Sequence, residues 1–262
     1  MSVKPVAIHG AHQNYLLYPA DGKAFRVPNH MPLYAAAAMG VVVRTAADAF
    51  FNLLGYPLIG KEEQNPEGIL LIWGGTTSIG LSVLQFARAR SVSPIFVIAA
   101  KEYFELLKRL GADECFDYED FDVVEQTRQR AARLGKPISK ILDAVGSPSA
   151  KTADTAAACG DKNSEVITMT VHSCYKMPFC TMYKDTQLNV DGVGSVFIPK
   201  REQDAERASE AFAWVIEHYG NGFEFPQIAL TSGLLPLSKN VASGQSASVG
   251  FGKNVITHPI RA

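Results

Sequence analysis

What the sequence has little of narrows it first. Four cysteines, at positions 115, 159, 174 and 180, make no C-x-x-C pair, which excludes a disulfide framework and a structural zinc lobe and predicts free thiols. The formal net charge is −1 and no basic cluster stands out, so no nucleic-acid partner is expected. The opening MSVKPVAIHG lacks the long apolar core of a signal peptide, and no apolar run approaches membrane-spanning length. These absences predict a soluble, cytoplasmic protein with no membrane partner. Internal repeats and low-complexity tracts are missing too. His9 and His12 are spaced i,i+3 without an apparent third ligand and read as surface histidines, so no metal site is expected.

What is present centres on GILLIWGGTTSIG, residues 68–80. Ile69 to Trp73 is a continuous apolar run bounded by glycines, too short for a helix, and reads as a strand buried on both faces. After Gly74-Gly75-Thr76-Thr77-Ser78-Ile79-Gly80 come Leu81, Val83, Leu84, Phe86 and Ala87 at helical spacing. Strand, glycine turn and helix open a nucleotide-binding βαβ unit. Glycine keeps the turn tight and lets a pyrophosphate approach the backbone, while the helix N-terminus offers unpaired N–H groups and partial positive charge. Against G-x-G-x-x-G, Gly75 and Gly80 take the outer positions and Thr77 replaces the middle glycine. Hydroxyls on Thr76, Thr77 and Ser78 are the compensating phosphate donors. An ordinary strand-to-helix turn capped by Thr or Ser is the competing reading, and these thirteen residues do not separate the two.

The downstream pattern separates them. Strands are predicted at 94–100, 115–117, 140–144 and 165–170, with a helix over 102–110 ended by Gly111. Strands alternating with helical segments give an α/β fold, a doubly wound parallel Rossmann sheet that binds ligands at the carboxyl ends of its strands. Upstream, short strands are expected at 15–18 and 25–27 around an Asp21-Gly22 turn. An alanine-rich helix then runs over 33–54, interrupted at Gly40, where backbone can come close to a neighbour, and capped by Gly55. Residues 57–66 read as a linker. Beyond the fifth strand, residues 171–185 have the composition of a wall for an apolar ligand as much as of a packed loop. A sixth strand is expected over 188–198 around Gly192 and Gly194. An amphipathic helix follows over 202–219, with Ala208, Ala211, Phe212, Val215 and Ile216 on one face, and the tail from Gly244 becomes strand-like at 254–257.

The segments VPNHMPLYAAAAMGVVVRTAA, IWGGTTSIG, LKRLGADECFDY, LDAVGS and VFIPKREQDAERASEAF, in this order within residues 15–255, resemble the medium-chain dehydrogenase/reductase superfamily. The likeness is to its quinone-reductase branch and, within that, to fungal trans-acting enoyl reductases that serve polyketide synthases. The resemblance implies a Rossmann cofactor domain against a GroES-like lobe, with NADPH in the cleft between them. In that family on the order of a hundred further β-rich residues precede the segment where this chain begins. The expectation is therefore a truncated lobe over 1–60, a cofactor domain over 61–200 and a returning helix and strand over 201–262. Zinc-dependent relatives take their catalytic ligands largely from that lobe, so zinc independence is expected.

Site residues follow from the same likeness. NAD enzymes place Asp or Glu about twenty residues past the glycines; here Ala99 and Ala100 precede Lys101, which favours a 2′-phosphate and hence NADPH. Tyr118 stands where relatives place a tyrosine near that phosphate. Against this, Glu102 adds negative charge and relatives usually have serine where Ala100 stands, so a solvated lysine competes with the phosphate reading. Thr45, with Arg44, is placed near the nicotinamide, Arg44 as donor to a developing enolate oxygen. Two functions follow. One is an NADPH-dependent reductase of an enoyl or quinone-type, polyketide-like small molecule, pairing as a homodimer. The other is a redox-inactive scaffold, its cofactor binding weak or lost. An apolar cleft lined by Tyr175, Met177, Phe179, Met182 and Tyr183 would then cyclise, isomerise or dehydrate a metabolite, or the protein would be a non-catalytic partner of a synthase.

Overall fold

The computed structural model describes residues 24–179, 182–190, 194–226, 228–231 and 253–257. The strand at 15–18, the Asp21-Gly22 turn, His9, His12, Cys180, Gly192 and the tail from Gly244 to residue 252 lie outside them. Five strands, β1 (Ile69–Trp73), β2 (Ile95–Ala99), β3 (Glu114–Asp117), β4 (Ile138–Asp143) and β5 (Glu165–Thr168), form one parallel sheet in the order β3-β2-β1-β4-β5. Connecting them are α2 (Ser78–Ala89), α3 (Phe104–Leu110), α4 (Val123–Leu134) and α5 (Thr152–Ala158), after a first helix α1 (Leu33–Ala47).

Both faces of the sheet are covered, which explains why β1 and β2 read as unbroken apolar runs. Leu70 and Ile72 of β1 join the core formed with α1, α2 and α3, whereas Ile69, Leu71 and Trp73 point to the opposite core with α4 and α5. Strand order reverses between β1 and β4, which leave the sheet side by side with Trp73 paired to Asp143. A crevice at the carboxyl ends of the strands opens at such a switch point.

Two glycines set how closely α2 approaches β1. A Cβ on Gly75 would lie 2.1 Å from Val97 Cγ1, and one on Gly80 would lie 2.3 Å from the carbonyl oxygen of Gly74. Gly74 itself has φ +86°, a conformation that side-chain-bearing residues rarely adopt. Across the switch point, the wholly buried carboxylate of Asp143 fastens the ends of β4 and β5. Its Oδ1 accepts from the amides of Val145 and Gly146, both at 3.1 Å, and its Oδ2 from the hydroxyls of Thr152 and Thr168, both at 2.9 Å. The loop after β4 is thereby held against the glycine turn, where Ala144 donates to the carbonyl of Trp73 at 2.8 Å.

Several expectations are corrected. Gly40 does not interrupt its helix: α1 is continuous through it, and among the described residues nothing outside the helix's own backbone lies within 4 Å of where its Cβ would be. An interior glycine costs a helix about 1 kcal/mol, and the burial of Met39, Val42 and Val43 on either side outweighs that. The helix continues as a π-helical segment, Asp48–Leu53, and stops at Gly55 with φ +77°. Length and composition would let Leu33–Leu53 cross a membrane, contrary to the expectation of no such run; half of it is buried inside the protein, and it packs on α2 as a core helix. Residues 25–27 form no strand. The sixth strand is instead an antiparallel pair, β6 (Thr186–Val190) and β7 (Gly194–Ile198), outside the main sheet. Gly194, the first residue of β7, has φ +97°, a left-handed backbone that glycine adopts without the strain other residues would carry. The amphipathic helix is α6 (Glu202–His218), and β8 (Ile228–Thr231) pairs in parallel with β9 (Lys253–Ile256) beside α1.

The glycine contacts predict an asymmetry. Gly75→Ala should cost about 1–3 kcal/mol by overpacking and be relieved by Val97→Ala, with a coupling of at least about 1 kcal/mol in a double-mutant cycle. Gly80→Ala meets backbone and should not be rescued by any side-chain change. Asp143→Ala leaves two amides and two hydroxyls short of an acceptor and should cost at least about 3 kcal/mol, whereas Asp143→Asn, whose amide the rotating hydroxyls can accept, should cost about 1 kcal/mol. Urea denaturation of each variant, the Gly75/Val97 double variant included, measures these costs.

Candidate active site

Three segments meet at the carboxyl edge of the sheet: the glycine turn after β1, the loop after β4, and the ends of β2 and β3. Thr77 caps α2, its Oγ1 accepting from the amide of Gly80 at 3.0 Å, so its expected role is divided: the oxygen is engaged in the cap and only its proton remains for a phosphate. Helix geometry leaves the amides of Ser78 and Ile79, in the first turn, without intrahelical acceptors. Thr76, Thr77, Ser78 and Ile79 are half-buried, and Val145 stands over Gly74 while remaining 44% exposed. A tight turn that excludes Cβ atoms and ends in free amides at a positive helix terminus fits a diphosphate.

Lys101 and Tyr118 come to the same edge because Ala99 of β2 is paired with Asp117 of β3. Lys101 is exposed in a single 3₁₀ turn, Lys101–Tyr103. Tyr118 is 51% exposed, and its hydroxyl donates to Glu119 Oε1 at 3.3 Å. The charge of Glu119 pushes the phenol above its ordinary range, with burial and the carboxylates of Asp117 and Glu102 adding to it. Glu119 and Asp117 thus join Glu102, the carboxylate already expected to oppose Lys101, at this edge.

Arg44 and Thr45 occupy the last turn of α1, which packs against α2. Thr45 is 9% exposed, and its hydroxyl donates to the carbonyl of Val41 at 2.8 Å; that proton is committed to the helix. Arg44 lies with its Cζ 4.7 Å from the centroid of the Tyr183 ring. Its Nε and Nη2 are buried and meet no acceptor among the described residues. An unsatisfied buried donor costs about 1–3 kcal/mol, more when charged, so this guanidinium is held at a cost in stability.

The loop over 171–185 resolves toward packing. Phe179, Met182 and Tyr183 pack on the main core, Met182 at 2% exposure, and Tyr175 stacks on His172 with ring centroids 4.3 Å apart. The loop is fastened by a group that sequence reasoning missed. Asp48, wholly buried in the π-helical segment, accepts from the amide of Phe179 at 2.8 Å and from Asn52 Nδ2 at 2.9 Å, and pairs with Arg201. Arg201 also bonds Asp204 Oδ2 at 2.6 Å. The available signal was an aspartate inside an otherwise apolar helical stretch. Burial pushes the Cys115 thiol up to about 11 and that of Cys159 up to about 12, which makes both inert as nucleophiles. No three His, Cys, Asp or Glu side chains converge on a metal position among the described residues.

Comparison with known proteins agrees with this architecture. The family model described as zinc-binding dehydrogenase matches residues 78–214, just over half the chain. The trans-enoyl reductase resD of Aspergillus sclerotiorum is 27% identical over 237 residues, covering 81% of this chain and 63% of that protein. Among solved structures, a putative NADPH:quinone reductase from Bacillus thuringiensis superposes with a TM-score of 0.62 at 17% identity, over 88% of this chain and 66% of that one. A mutant form of enoyl thioester reductase from Candida tropicalis does so with a TM-score of 0.55 at 18% identity, over 88% and 63%. The chain thus spans just under two thirds of the length of resD. The family match over more than half of the chain, on a sheet of this topology, places the chain in the zinc-binding dehydrogenase family.

Proposed function

We propose that this protein is an NADPH-dependent reductase of an enoyl or quinone-type, polyketide-like small molecule. The observation that carries the reading is the glycine turn at the switch point, with Gly75 and Gly80 admitting no Cβ and the amides of Ser78 and Ile79 left open. The names of the relatives, a trans-enoyl reductase and an NADPH:quinone reductase, support the reaction class and the cofactor. A reduced nicotinamide bound there supplies the hydride.

The residues of this chain bind and orient. The Ser78 and Ile79 amides and the Thr76 hydroxyl hold the diphosphate, while Lys101 and Tyr118 meet the adenosine end. Arg44 is the better donor for oxygen charge developing on the substrate, since the Thr45 proton already serves Val41. Thr45 fixes the last turn of α1 and so positions Arg44. The packing of Phe179, Met182 and Tyr183 on the core removes much of the apolar wall that a cofactor-free cyclase would need.

Incubating the purified chain with a conjugated enone, with and without NADPH, should give a product heavier by two hydrogens only when cofactor is present. Lys101→Ala should weaken NADPH binding about tenfold while leaving NADH binding little changed, as expected for one charged contact to a 2′-phosphate. A product of unchanged mass formed without cofactor, or no calorimetric signal at millimolar NADPH, would exclude the reductase reading.

A further inference from the structure

Among the described residues, Arg44 has buried side-chain donors that the fold leaves without an acceptor. Asp143 holds four donors, Asp48 is paired with Arg201, and Arg207 reaches Asn52 and the carbonyls of Phe51 and Tyr56. The two buried Arg44 atoms without an acceptor among the described residues are Nε and Nη2. They share one edge of the guanidinium plane, where their N–H bonds run parallel, and that edge receives both oxygens of a carboxylate at once. Tyr183 covers the face of the plane at 4.7 Å and is itself held by α6, through Ser209 and, at 3.1 Å, the carbonyl of Ala205. Stacked in this way the plane is fixed before any ligand arrives, so little orientation is lost on binding. A lone enolate oxygen would use one of the two N–H groups; a planar pair of oxygens uses both.

We propose that the Arg44 fork is a carboxylate-binding site and that the substrate carries a carboxylate. The word substrate rests on the reductase reading, but the binding event does not need hydride transfer. Calorimetry on the full, cofactor-free chain should show cinnamate binding at least about tenfold tighter than its neutral counterpart benzalacetone, the effect of a charge-assisted hydrogen bond. Arg44→Lys keeps the charge but not the fork and should lose at least about tenfold in cinnamate affinity. Arg44→Met should abolish the preference while raising the melting temperature by about 2–4 °C, because no unpaired donor stays buried. Equal affinity for the two probes, binding of neither at millimolar concentration, or a preference that survives in Arg44→Lys would overturn the proposal. So would a lowered melting temperature in Arg44→Met, which would make the guanidinium a structural group. With no NADPH in the cell, failure of the reductase reading leaves this comparison intact.

Discussion

The contact on which the architecture rests is the approach of α2 to β1, made possible by the missing side chains of Gly75 and Gly80. A parallel strand must pass into its crossover helix within a few residues, and the helix must then lie back on the sheet. With Gly80 against the Gly74 carbonyl and Gly75 against Val97, the first turn of α2 sits directly over the strand ends. Its open amides thereby lie at the carboxyl end of β1, beside the switch point between β1 and β4. The same closeness brings Val145 over Gly74, so the loop after β4 becomes part of the turn's wall.

Buried charge is treated in two ways. Asp143 and Asp48 are wholly buried and saturated with donors, each tying together elements distant in sequence. Removing either would strand its partners, so they act as fasteners: Asp143 for the carboxyl ends of β4 and β5, Asp48 for the loop before β6 and the start of α6. Arg44, four residues before Asp48 on the same helix, has no such saturation. Unlike those two carboxylates, the Arg44 fork is left open among the described residues, where a ligand's acceptors would relieve the cost of burying it.

The sheet was legible because burial on both faces writes itself as apolar runs and because glycine is required where Cβ atoms would collide. Helix α6 was legible from its period, down to Ala208, Ala211, Phe212 and Val215. The errors have physical origins. Gly40 signals a break by propensity, but its neighbours' packing overrides a cost of about 1 kcal/mol. The β6 and β7 segments read as one strand in the sequence because apolar residues lie on both sides of Gly194. At the site, Gly75, Gly80, Lys101 and Tyr118 do share one edge, since register alone brings them there. Whether Thr45 has a free proton, or Arg44 an acceptor, depends on contacts with Val41, Tyr183 and α6 that no local pattern encodes. Asp143 appeared in the sequence only as part of a motif; its four donors come from residues up to Thr168.

These charges are distributed unevenly along the crevice. At one side lies the positive end of α2; at the other, Tyr118 is surrounded by Glu102, Asp117 and Glu119 with Lys101 beside them. For a dinucleotide, the favourable field therefore acts on the diphosphate, and the adenosine end contributes less because each attraction to Lys101 is offset by neighbouring carboxylates. Exposed charges here are also screened over about 8–10 Å at ordinary ionic strength, whereas the half-buried turn is screened less. Discrimination at the adenosine end must then be a small difference between opposed terms. Among the described residues, the first turn of α2 and the Arg44 fork are places where donors are left open.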